Sequence, residues 1–70
     1  MYQKGTILKH SDHEETVIFC VVEDYLYSHG LRFVKGIVIN ADANYKKGDD
    51  FKIEWQVDQE WVEFEEINIS

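Results

Sequence analysis

Eight consecutive residues, Phe51 through Asp58, alternate without a break between apolar and polar. Phe51, Ile53, Trp55 and Val57 form one set; Lys52, Glu54, Gln56 and Asp58 form the other. An extended chain turns successive side chains to opposite faces, so the pattern predicts a strand with one dry and one wet face. A helix would scatter both sets around its circumference.

The rest of the chain reads in the same way. Thr16 to Val22 is β-branched and aromatic on both faces, the signature of a central strand buried on both sides. Strand character resumes at Tyr25-Leu26-Tyr27 after an interruption at Glu23-Asp24. Ser28-His29-Gly30 is a turn. Leu31 to Ile39 follows as the second arm of a hairpin, and Gly36 within it predicts a bulge or bend.

Thr6 to His10 is a further strand, and Ser11 with Glu14 has capping-box spacing suited to one helical turn. Asn40 to Asn44 is a loop or a single helical turn, and Lys46-Lys47-Gly48-Asp49 is a turn. Trp61 to Glu65 is the last strand, with Val62 and Phe64 on one side and Trp61, Glu63 and Glu65 on the other. Ile67 and Ile69 then shift parity, so either a bulge falls at Glu65-Glu66 or a separate segment ends the chain.

Five or six short strands joined by tight turns in 70 residues predict one all-β domain over 1–70. The expected form is an antiparallel meander curling into an SH3-like barrel. The competing form is an open curved sheet that pairs with a second copy. A chain of this length buries only about 60% of its unfolded surface, and its single cysteine excludes an internal disulfide. Cys20, inside the apolar run and without basic neighbours, is expected to be a buried small hydrophobe rather than a reactive thiol.

An unpaired cysteine suits a reducing cytoplasm. No apolar run approaches the roughly 20 residues that span a bilayer, so no membrane partner is expected. Met1 and the polar residues that follow read as a natural start without a signal-peptide core.

Charge is distributed unevenly. Residues 1–48 hold six acids and six bases, whereas residues 49–70 hold eight acids and only Lys52, so the whole net charge of −7 lies in the last 22 residues. That placement opposes direct nucleic-acid binding and favours a basic partner. Glu54, Asp58, Glu60, Glu63, Glu65 and Glu66 would form one negative face if the last two strands paired. Trp61 among them has the character of an interface anchor.

The other chemistry is sparse. His10, Asp12, His13 and Glu14 are metal-ligating types, but their spacing matches no strong zinc pattern, so a solvated turn is expected. No nucleophile motif, phosphate loop or cofactor signature is present, and the expectation is no catalytic residue, no metal and no cofactor. Aromatics such as Tyr25, Tyr27 and Tyr45 could stack on bases only with a basic groove, for which Arg32, Lys35, Lys46 and Lys47 are the candidates.

The sequence therefore predicts a non-enzymatic acidic interaction module that engages a basic, nucleic-acid-binding protein as an inhibitor or DNA mimic. Such small acidic domains are frequent among phage-encoded host-takeover proteins. The alternatives are a homodimerisation module that pairs strand edges, and a barrel that binds a nucleic acid or ligand through its aromatics.

Overall fold

In a computed structural model, which describes residues 1–68, the chain forms one antiparallel sheet. Its strands are β1 (Ile7–Ser11), β2 (Thr16–Leu26), β3 (Leu31–Ala41), β4 (Asp50–Gln56) and β5 (Glu65–Glu66), in the order β4-β3-β2-β1-β5. Among the described residues there is no helix. The sheet does not close: β4 and β5 are its two edges and do not pair.

The long β2–β3 hairpin is the frame. Its connection turns at Gly30, whose φ of 92° favours glycine, and a Cβ there would also lie 3.2 Å from Gln56 Oε1. Register slips twice along the hairpin, between Ile18 and Phe19 and between Val21 and Glu23. The second slip lies beside Gly36, which pairs with Val21. A Cβ on Gly36 would run into the carbonyl oxygen of Cys20 and stand 2.8 Å from the Phe19 ring. Only glycine permits this close approach, and the bend it accompanies curls the sheet.

Curling gives the sheet an inner face and an outer face. Leu8, Val17, Phe19, Val21, Val34, Val38, Phe51 and Trp55 fill the inner face as the core. Phe51, Ile53 and Trp55 occupy that face as the alternation predicts, with Lys52 and Glu54 outside. Val57 does not join them. It lies beyond the end of β4, where the chain turns, and is 46% exposed.

The outer face is uncovered over Ile18 to Val22, which corrects the expectation that this stretch of β2 is buried on both sides. Ile18 and Cys20 are half-buried there, and Val22 is exposed. Cys20 is thus not a core residue. The reason is architectural: one sheet of this size has no second layer to lay across its back.

Two further expectations change. The Ser11–Glu14 capping turn is replaced by a tight turn anchored on Asp12, whose Oδ1 accepts from the amides of Glu14 (2.8 Å) and Glu15 (3.0 Å). The strand expected over Trp61–Glu65 shrinks to Glu65–Glu66, and the pairing that was to join the last two strands is absent. Ile67 hydrogen-bonds to Ile7 through its amide at 2.9 Å. Ile69 lies outside the described residues.

Candidate interaction surface

The C-terminal segment leaves β4 through a turn in which the Gln56 carbonyl accepts from the amides of Gln59 and Glu60, each at 3.1 Å. It then crosses the mouth of the curled sheet and meets β1, where Lys9 pairs with Glu65 and Leu8 with Glu66. Crossing requires an apolar underside, and Val62 and Phe64 supply it. Phe64 packs against His10 (5.5 Å between centroids), Tyr2 and Trp55 (both 5.9 Å) and Phe19 (6.0 Å). It serves as the plug between the two sheet edges.

With alternate residues committed inward, the intervening ones face solvent. Trp61 is 84% exposed, the most open large hydrophobic side chain among the described residues. Glu60, Glu63, Glu65 and Glu66 are exposed around it in sequence. Glu65 pairs with Lys9 at 3.7 Å, an exposed contact that contributes little. Among the described residues, Asp58, Glu60, Glu63 and Glu66 make no ion pair.

Glu54 stands apart from this group. It lies on the outer face of β4, at the opposite edge of the sheet from Glu65 and Glu66, and contacts Lys52 at 3.7 Å. The structure therefore brings Glu60, Trp61 and Glu63 together on one crossing segment and leaves Glu54 on another strand. The single face anticipated from a pairing of the last two strands does not form in that way.

A cleft of about 600 Å³ separates the crossing segment from the turn after β1, with Ile53 on its wall. His10, Asp12 and His13 line it opposite Glu60 and Glu63. The two amides donated by Glu14 and Glu15 hold the Asp12 carboxyl below its ordinary range, with His10 and His13 adding to the effect. Among the described residues no three histidine, cysteine or carboxylate side chains are placed to hold a metal ion.

A second polar cluster gave no signal as a unit in the sequence. Asp24 reaches the inner face after the bulge, where Arg32 donates to it from Nε (2.9 Å) and Nη2 (2.6 Å). The Tyr2 amide donates to Asp24 at 2.8 Å. The guanidinium lies over the rings of Trp55 (5.3 Å) and Tyr2 (5.9 Å). Arg32, a candidate for a basic groove, is thus engaged in the fold. Burial pushes the Asp24 carboxyl up, but the Arg32 hydrogen bond, the Tyr2 amide and the Arg32 charge together hold it below the usual carboxylate range.

Tyr25, Tyr27 and Tyr45 divide between two sites. Tyr45 packs on Phe51 at 5.3 Å and belongs to the core margin. Tyr25 and Tyr27 lie 4.8 Å apart on the outer face and cover Phe33, with Lys52 Nζ 5.0 Å from the Phe33 ring. Lys35 on the same face pairs with Glu23 at 3.4 Å. Comparison with known protein families, with curated proteins and with solved structures finds no match to this chain.

Proposed function

We propose that this chain is a non-enzymatic interaction module whose crossing segment, Asp58 to Glu66, docks a basic protein. The observation that carries the reading is Trp61, largely exposed beside carboxylates that have no ion-pair partner among the described residues. An aromatic anchor ringed by unneutralised charge offers both buried area and electrostatic steering. The basic groove of a nucleic-acid-binding protein is the partner class that fits such a surface, and occupying it would make the chain an inhibitor.

The fold reading that accompanies this is an incompletely closed SH3-like barrel. The meander order with β5 returning to β1, the bulged β2 and the plug at Phe64 support it.

Capture from a lysate of the native host, with wild-type and altered chains side by side, tests the function. A basic protein retained at low salt and lost with Glu60→Lys and Glu63→Lys is the expected result. Trp61→Ala weakens its binding by at least about 30-fold, the scale of a hot-spot anchor. A captured set that is indifferent to salt and to all three changes overturns the reading.

A further inference from the structure

β4 is an edge strand of seven residues. Antiparallel pairing uses the N–H and C=O of alternate residues. Two bonds at the ends of the β3–β4 ladder fix which residues those are: Val38 N–H to the Asp49 carbonyl at 2.9 Å, and Val57 N–H to the Gly30 carbonyl at 3.0 Å. Phe51, Ile53 and Trp55 therefore direct their backbone groups at β3. Asp50, Lys52, Glu54 and Gln56 direct theirs outward. The Gln56 carbonyl is taken by its own turn, and the other outward groups have no backbone partner among the described residues.

We propose that a second copy of this chain pairs along that edge, β4 against β4, antiparallel, about a two-fold axis at Ile53. Lys52 of each copy then lies opposite Glu54 of the other, and both are outward-facing residues that can exchange N–H and C=O bonds. Ile53 meets its own counterpart as a non-hydrogen-bonded pair, with Cα atoms about 4.5 Å apart. Phe51 falls opposite Trp55 of the second copy on the core side.

The charges select this register over its neighbours. Moving the axis to Lys52 sets Lys52 against Lys52 and Asp50 against Glu54. Moving it to Glu54 sets Glu54 against Glu54. Like charges directly opposite are destabilising and unlike ones stabilising, so the axis at Ile53 is favoured over both. An axis at Phe51 would also oppose unlike charges, Asp50 against Lys52, but it pairs only residues 50–52, whereas the axis at Ile53 uses the whole of β4. A lysine on an edge strand ordinarily discourages pairing. Here the glutamate two residues later, held within 3.7 Å of it on the same face, supplies the complement that turns the block into a register device.

The occupant is a second copy rather than another peptide because the edge is complementary to itself. Lys52 is also the only base in the acidic stretch 49–70. Two chains of net charge −7 thus meet at the one position in that stretch that offers opposite charge.

Sedimentation equilibrium from micromolar to submillimolar concentration tests the proposal, with circular dichroism to confirm that each variant keeps its sheet. The wild type should form a reversible dimer. Lys52→Glu and Glu54→Lys should each weaken it by about tenfold or more, because each places two glutamates or two lysines across both symmetric contacts. An equimolar mixture of the two variants should restore the dimer, since every cross-strand pair is again of opposite charge. The doubly exchanged chain should also dimerise. A monomer throughout, or a dimer indifferent to both reversals, overturns the proposal. So does a dimer lost only with Ile37→Lys, which would place the contact on the outer face.

Discussion

Asp24 and Arg32 form a two-pronged ion pair at the end of the core, with no exposure of the Asp24 side chain and 22% exposure of the Arg32 side chain. The pair spans the β2–β3 hairpin, and its carboxylate also fixes the N-terminus through the Tyr2 amide. Removing one partner of such a pair strands the other without water. Arg32→Met should therefore cost about 3 kcal/mol, measured by urea unfolding. Replacing both residues, with Asp24→Leu added, should cost less than Arg32→Met alone. A double variant less stable than the single one would show that the residues act independently.

The same pair sets an acid limit. Because the folded Asp24 carboxyl ionises below its ordinary value of 3.8, its contribution is complete above that value and falls away as pH drops through the lower folded value. Unfolding followed from pH 6 to pH 2 should show stability declining below about pH 4. Asp24→Asn should flatten that decline while lowering the plateau. An unchanged acid limb in Asp24→Asn would assign the decline to other carboxylates.

Phe64 and Trp61 are near neighbours with opposite roles. Phe64→Ala removes the plug that four rings pack against and should cost about 3 kcal/mol, a large fraction of what a domain of this size possesses. Trp61→Ala should change stability by no more than about 0.5 kcal/mol, because its ring is in water. Thermal melts of the two variants decide it. Equal losses would mean that Trp61 is packed.

Gly36→Ala should be poorly tolerated despite adding only a methyl group. The added carbon meets backbone at Cys20, which cannot rotate away, as well as the Phe19 ring. A loss of about 2 kcal/mol is expected from overpacking of this kind. A wild-type melting temperature would show that the hairpin relaxes at no cost.

What could be read from the residues was what a strand's own side chains decide. The alternation at Phe51–Trp55 gave the dry face of β4, and Val62 and Phe64 gave the underside of the crossing segment. What could not be read was which strand lies next to which. Alternation tells a residue its face but not its neighbour, so the expected hairpin with β4 does not form and Glu65 and Glu66 pair with β1 instead. Thr16 to Val22 shows a related limit: apolar residues on both faces state a preference for burial, and this single sheet buries only one face of that stretch. The Asp24–Arg32 pair left one trace, the acidic break in an apolar run, whose meaning depends on the register slip beside it.

That strand order also dictates a sequence of events in folding. β2 and β3 are joined by the four residues 27–30, whereas the contact of Leu8 with Glu66 must gather ends separated by nearly the whole chain. Closing the long loop costs more chain entropy, so the hairpin is the piece that assembles early and the β1–β5 seam is sewn last. Pulsed amide exchange during refolding should protect Tyr25 and Phe33, which bond to each other across the hairpin, before Ile67. The segment that carries Trp61 would then be the final part to settle, and the first to come away when the protein opens.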